Sequence, residues 1–147
     1  MTNMKKGKCL GNWKLITVMG APTPHALHVS VQADSKVLIW WGRRNMETHW
    51  PAYGDGALYD VEGDSWKSIS YIKSPSPRAF SSGVWTGNQL IIWGGSDETS
   101  VLSDGSSYDP YVDSWSPISP APIGSRTSHV SVWTGKEMIV WGGGYNF

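Results

Sequence analysis

One short motif occurs three times in this chain and limits what the chain can fold into. Each copy is an apolar, largely β-branched run that ends in Trp and at least one Gly, and the copies cover residues 37–42, 90–95 and 138–143. Such a run predicts a buried strand, and the Gly after it can adopt the positive φ that ends a strand. We therefore expect three equivalent strands in a repeated fold.

The spacing of the motif indicates the class of repeat. The copies start at residues 37, 90 and 138, so the repeat is 53 and then 48 residues long. A period of about 50 residues with four short strands is typical of β-propellers rather than helical solenoids. The other strands also recur: an alternating one before the motif, a Tyr-Asp strand after it, and a return strand that starts with Trp. By periodicity we expect the framework tryptophans to lie in the core: Trp13, Trp40, Trp66, Trp85, Trp93, Trp115, Trp133 and Trp141.

Composition agrees with an all-β fold and excludes several classes of partner. The 147 residues include 17 Gly, 9 Pro and 10 Trp but only 16% charged residues, which favours many turns. Twelve basic residues balance twelve acidic ones, so no net charge attracts nucleic acid or an anionic membrane. No signal-like or membrane-spanning apolar run is visible, so we expect a cytoplasmic protein. Cys9 is the only cysteine, which excludes an internal disulfide and any four-cysteine metal site.

With these motifs in this order, the chain resembles the kelch-repeat family of β-propellers. The matching features are Arg or His before the first strand, Gly-Gly closing the second, Tyr-Asp in the third and Trp in the fourth. The resemblance covers residues 13–143 and is closest to bacterial repeats of the form W-T-G-x-x-[ML]-I-[IV]-W-G-G. Departures are Trp41 for the first Gly, His25 for Arg and Ser81 for His.

The repeats do not complete whole blades. Residues 1–24 hold an outer strand and a link, residues 25–77 and 78–125 form two blades, and residues 126–147 hold the two inner strands of another. Because a blade cannot bury its faces alone, we expect this propeller segment to close by oligomerisation. Residues 126–147 of one chain would pair with residues about 5–16 of a second, and a domain-swapped homodimer would form a six-bladed ring. The alternative is a fragment of a longer kelch propeller with no independent function.

Three residues share the position before the first strand of a blade: His25, Arg78 and Arg126. The kelch resemblance implies that arginines here bind acidic peptides or small anions at the mouth of the channel. A guanidinium suits bidentate capture of a carboxylate. The alternative is a structural role, in which these side chains brace the blades through carbonyls or an Asp.

The loop of residues 41–53 breaks the repeat and is predicted at the same mouth. Exposed Trp beside Arg would suit a glycan or an aromatic anion. The candidate ligand-binding residues in this loop are Trp41, Arg43, Arg44, His49 and Trp50. The alternative is an insertion that plugs the channel or packs at a subunit contact.

Motifs for catalysis are missing, so we expect a non-catalytic binding scaffold with no metal and no cofactor. No metal-ligand spacing, phosphate-cradling loop or nucleophile elbow occurs. His28 and His129 recur at one framework position, and we expect both to be buried and hydrogen-bonded. The aspartates at the turns are expected to cap them: Asp60, Asp64, Asp109 and Asp113. The alternative function is a carbohydrate-active or sugar-acid-processing propeller enzyme, which would need a coupled titratable pair at the mouth.

Overall fold

The protein forms two four-stranded antiparallel sheets and one two-stranded sheet in a computed structural model that describes residues 13–40, 42 and 55–145. The first sheet contains β1 (Val29–Ala33), β2 (Lys36–Trp40), β3 (Gly56–Asp60) and β4 (Ser65–Ser68). The second contains β5 (Ser82–Trp85), β6 (Leu90–Trp93), β7 (Gly105–Asp109) and β8 (Ser114–Pro117). The half-sheet contains β9 (Val130–Trp133) and β10 (Met138–Trp141). Strands pair in chain order within each sheet, and the described part of the chain holds no helix that could cross a membrane.

The turns between strands follow from their residues. Between β5 and β6, the Thr86 amide donates to the Gln89 carbonyl at 2.9 Å, and Gly87 takes a φ of +104°. This turn sets Leu90 opposite Trp85 and so fixes which side chains share a face. Between β3 and β4, the Asp60 carboxylate accepts two turn amides, at 3.0 and 3.1 Å. The expectation that Asp60 caps its turn is confirmed.

The sheets pack side by side with their first strands innermost, since β1 lies beside β5 and β5 beside β9. The main core lies between the first and second sheets, where Leu38, Trp40 and Ile92 are fully buried. The rings of Trp40 and Trp115 are 4.3 Å apart across this interface. Each large apolar side chain buried here contributes about 1.5–3 kcal/mol to folding, so the two sheets stabilise one another.

The framework tryptophans do not all lie in the core. Trp40, Trp93 and Trp115 are buried as expected, but Trp13 and Trp141 are 102% and 78% exposed. The expectation of burial is wrong for these two because no described segment packs over them. Residues 13–16 also pair with no strand in the described ranges, so the predicted return strand at Trp13 is not formed there.

Candidate functional site

Arg78 stands just before β5 and lies inside the second sheet, with 1% of its surface exposed. Its Nη1 and Nη2 donate to the two carboxylate oxygens of Asp104 at 2.9 and 3.1 Å. Nη1 also donates to the Gly94 carbonyl at 3.2 Å, and Nη2 to the Ser76 hydroxyl at 2.8 Å. Hydrogen bonds from the guanidinium lower the pKa of the Asp104 carboxyl.

These contacts tie the link before β5 to the start of β7. The Arg78 side chain is 0% exposed and presents no nitrogen to solvent. This differs from the expectation that Arg78 lines the mouth of the channel, and it matches the bracing role that the sequence offered as the alternative. The brace acts within one sheet rather than between neighbours.

His25 fills the same repeat position in the first sheet and faces the equivalent acid. Its Nε2 lies 3.5 Å from Asp55 Oδ1, and its side chain is 5% exposed. The other carboxylate oxygen of Asp55 accepts the Thr23 amide at 2.8 Å. The first sheet therefore places an imidazole beside the equivalent acid, but His25 Nε2 and Asp55 Oδ1 make no hydrogen bond.

Arg126 begins the half-sheet and repeats only part of the Arg78 arrangement. Its Nη1 donates to the Gly142 carbonyl at 2.9 Å, as Arg78 does to Gly94, and Nε reaches the Gly124 carbonyl at 3.4 Å. No carboxylate among the described residues takes the place that Asp104 has beside Arg78. Arg126 is only half-buried. Arg126 thus keeps the carbonyl contact of Arg78 without an ion pair among the described residues.

A second recurring contact set, which we call the Tyr-Asp-Trp latch, joins each complete sheet to the link before it. In the second sheet, the Tyr108 hydroxyl donates to Asp113 Oδ1 at 2.6 Å, and the same oxygen accepts the Ser70 amide at 2.7 Å. The Trp115 indole nitrogen donates to the Ser70 carbonyl at 2.7 Å. Both backbone groups of one link residue are therefore held by the next sheet.

The first sheet contains the same latch. Tyr59 donates to Asp64 at 2.6 Å, Asp64 accepts the Thr17 amide at 3.0 Å, and Trp66 donates to the Thr17 carbonyl at 2.8 Å. The hydrogen bond with Asp64 raises the pKa of Tyr59 to about 12. Asp64 and Asp113 were expected to cap turns, and this interpretation is wrong because they bond to a Tyr and to a distant link. The signal in the sequence is spacing: Thr17 and Ser70 each lie four residues after a framework Trp.

His129 lies where the half-sheet meets the second sheet and is 7% exposed. Its Nε2 is 2.7 Å from the Ser82 hydroxyl, and its ring packs edge-on against Trp93 at 5.1 Å. Burial lowers the pKa of His129, and the charge of Arg126 acts in the same direction. The expected buried, hydrogen-bonded role of His129 is confirmed, whereas His28 is exposed and donates to the His25 carbonyl at 3.0 Å. No acid in the described ranges orients the His129 imidazole, so the pair with Ser82 does not form a catalytic triad.

The open half-sheet, formed by β9 and β10 with Arg126 at its start, exposes both a face and an edge. Val130 pairs with Trp141 and Val132 with Ile139, which places these four side chains on one face. They are 46–78% exposed. Of the described strands, only β9 pairs with β10, so one edge of β10 is unpaired there. Exposed apolar patches and unpaired edges mark sites of association.

The remaining candidates do not form a site in the described chain. The loop candidates lie outside the described residues: Trp41, Arg43, Arg44, His49 and Trp50. No cluster of His, Cys, Asp and Glu in residues 13–40, 42 and 55–145 could hold a metal ion. A groove of about 270 Å³ lies between the first two sheets, lined in part by Trp85, Tyr111 and Lys36. The Lys36 ammonium is already paired with Asp60 at 2.7 Å.

Comparisons with known proteins agree with the sheet arrangement. The solved structure of YjhT superposes on 83% of this chain with a TM-score of 0.69 and 21% sequence identity. YjhT has a propeller-like fold. The architecture fits a segment of a β-propeller. The chain covers 35% of the YjhT chain, so it spans about a third of that structure.

Sequence comparison adds little to this fold-level likeness. No protein-family model matches the chain. Over 84 residues, which are 56% of this chain, it is 31% identical to the dynein alpha chain of the flagellar outer arm from Chlamydomonas reinhardtii. The match covers 2% of that dynein chain. Membership of the kelch family therefore stays a prediction from the motifs.

Proposed function

We propose that this protein is a non-catalytic binding scaffold of the kelch type and that its binding surface is the open half-sheet. One observation carries the proposal: equivalent faces differ in exposure. Val84 and Trp93 on the second sheet are 5% and 2% exposed because the half-sheet covers them. Their counterparts Val132 and Trp141 are 59% and 78% exposed. A further polypeptide layer on the half-sheet would bury Val132 and Trp141 as the half-sheet buries Val84 and Trp93.

The partner that we propose for this face is a second copy of the chain. Two interfaces are covered within the chain: the first sheet packs on the second, and the second packs on the half-sheet. In both, the face of the earlier sheet packs on the other kind of face of the later one. The uncovered counterpart on the first sheet carries Ser30, Gln32, Val37 and Ile39, which pair across β1 and β2. If the half-sheet of each copy packs on the first sheet of the other, the same contact occurs twice. Such a homodimer would close as a six-bladed ring.

The oligomeric state tests this proposal. We expect the full chain to elute as a dimer in size-exclusion chromatography with light scattering. Ile139→Lys places a charge on the open half-sheet, where Ile139 is 46% exposed, and should shift the protein to monomer. Ile72→Lys is the matched control, because Ile72 is 66% exposed but lies in a link. A monodisperse monomer for the unsubstituted protein would exclude the homodimer.

A further inference from the structure

The third and fourth strands of both complete sheets carry one motif with identical spacing, D-G-x-x-Y-D-x-x-x-D-x-W. It covers residues 55–66 in the first sheet and 104–115 in the second. The first Asp lies against His25 in the first sheet and pairs with Arg78 in the second, and the final Asp and Trp form the latch. The Gly is required by space, since a Cβ on Gly105 would lie 2.4 Å from the Ile92 carbonyl oxygen. The first Asp, the final Asp and the Trp of the motif thus have contact partners elsewhere in the chain.

The half-sheet retains the partners of this motif without the motif itself. Arg126 keeps the orientation that Arg78 uses toward Asp104, with Nη1 anchored on the Gly142 carbonyl at 2.9 Å. Ser119 lies four residues after Trp115, as Ser70 lies four residues after Trp66. Among the described residues, nothing bonds to the backbone of Ser119. The open edge therefore has two contact points, one for a carboxylate and one for the Asp and Trp of a latch.

The chain's own N-terminal segment fits only one of these points. Aligned through Trp13, it places Thr2 at the first Asp, Lys6 at the Tyr and Gly11 at the final Asp. Lys5, Lys6 and Lys8 also bring positive charge toward Arg126. A second copy could supply the Trp of the latch, but it would leave Arg126 without a carboxylate.

We infer that Arg126 is a carboxylate-binding site that lets an acidic, two-stranded segment of another polypeptide displace a second copy from the open edge of β10. The segment would begin with Asp-Gly and end with Asp-x-Trp, and its first Asp would accept two hydrogen bonds from the Arg126 guanidinium. This inference rests on the proposed function of the open half-sheet as a binding surface. The acidic segment would compete with a second copy for the same edge, because strand addition uses the same backbone groups of β10.

A peptide taken from the chain itself tests the inference. The probe is a fluorescent synthetic peptide of residues 103–118, and its Asp104→Asn version removes one charge at nearly constant shape. Binding to the full-length protein is measured by fluorescence anisotropy. Arg126→Gln in the protein removes the proposed carboxylate partner, and Lys136→Gln removes an exposed charge from the turn of the same half-sheet. Circular dichroism checks that both variants fold, and the Asn peptide gives a test that leaves the protein unchanged.

We expect the Asp peptide to bind about tenfold more tightly than the Asn peptide. This preference should disappear in Arg126→Gln and persist in Lys136→Gln. Equal affinity for the two peptides would overturn the role of Arg126 while leaving the half-sheet as a binding surface. If no peptide bound and the protein were dimeric, the occupant would be a second copy and the acidic segment would be excluded. If no peptide bound and the protein were a monomer, the proposed function would fail as well.

Discussion

Replacing Arg78 by Met should remove the brace of the second sheet with little change in side-chain volume. The loss includes the bidentate pair with Asp104 and the bonds to Gly94 and Ser76. Removing one partner of a buried ion pair costs about 3–5 kcal/mol. The Asp104 side chain is 63% exposed, so water can solvate it once the guanidinium is gone. We therefore expect the free energy of unfolding to fall by about 3 kcal/mol, the lower end of that range.

Arg126→Met is the matched control, because it makes the same change at the same repeat position. Arg126 is half-buried and makes one short hydrogen bond, to the Gly142 carbonyl. Arg126→Met should lower the free energy of unfolding by about 0.5–1 kcal/mol. Urea unfolding followed by tryptophan fluorescence and far-UV circular dichroism measures both variants. Light scattering must show the same oligomeric state for each, because association adds to apparent stability.

Equal losses in the two variants would refute the reasoning. Neither the burial of Arg78 nor its pair with Asp104 would then make Arg78 contribute more to stability than Arg126. A double-mutant cycle of Arg78→Met with Asp104→Asn gives a further check, since residues in contact should show a coupling of about 0.5–3 kcal/mol. Additive effects would mean that the ion pair does not contribute to stability.

Three further predictions concern the latch, the buried imidazole and the glycine turns. Tyr108→Phe removes the bond to Asp113 and should lower the free energy of unfolding by about 1–2 kcal/mol in urea titrations, and unchanged stability would contradict a role for the latch. Burial lowers the pKa of His129, so below the ordinary value of 6.5 the unfolded chain binds a proton that the folded chain does not. The free energy of unfolding should therefore fall from pH 7.5 to 5.5, and it should fall less in His129→Gln. If it fell equally in both proteins, protonation of His129 would not be the cause. Gly95→Ala should lower the melting temperature more than Gly135→Ala does. Both glycines have positive φ, but only at Gly95 would a Cβ meet a carbonyl oxygen, at 2.6 Å. The positive φ alone costs an alanine about 1–3 kcal/mol at either position. Equal falls in melting temperature would therefore show that the contact between the new Cβ and the carbonyl oxygen at Gly95 does not add to this cost.

Local pattern predicted the strands well, because alternation and turn chemistry act within a few residues. The three apolar motifs became β2, β6 and β10, and Thr-Gly turns precede the latter two. Burial of individual side chains was less predictable. Trp93 and Trp141 have nearly the same local sequence, yet they are 2% and 78% exposed because only Trp93 is covered by another sheet. Periodicity assigns a side chain to a face, but the neighbouring sheet decides whether that face is buried.

The polar contacts were harder to predict because their partners lie far apart in the chain. Asp113 bonds to the Ser70 amide across 43 residues, and Arg78 reaches Asp104 across 26. The position of Asp113 between two strands suggested a turn cap. Its φ of +51° instead belongs to a turn whose carboxylate serves Tyr108 and a link. Aligning both repeats shows that these residues recur together, although recurrence does not state which of them touch.

His25, Arg78 and Arg126 form an internal comparison, since each occupies the same position before a first strand. Where an acid stands just before the third strand, as Asp55 and Asp104 do, the basic side chain lies against it within its own sheet. In the described half-sheet that acid is missing, and Arg126 keeps its anchor but gains no carboxylate. A recurring arginine is therefore explained by structure wherever its recurring partner is present. Binding is best sought where the repeat keeps the arginine and omits the acid, because an oriented cation there can gain a carboxylate without first breaking an internal pair.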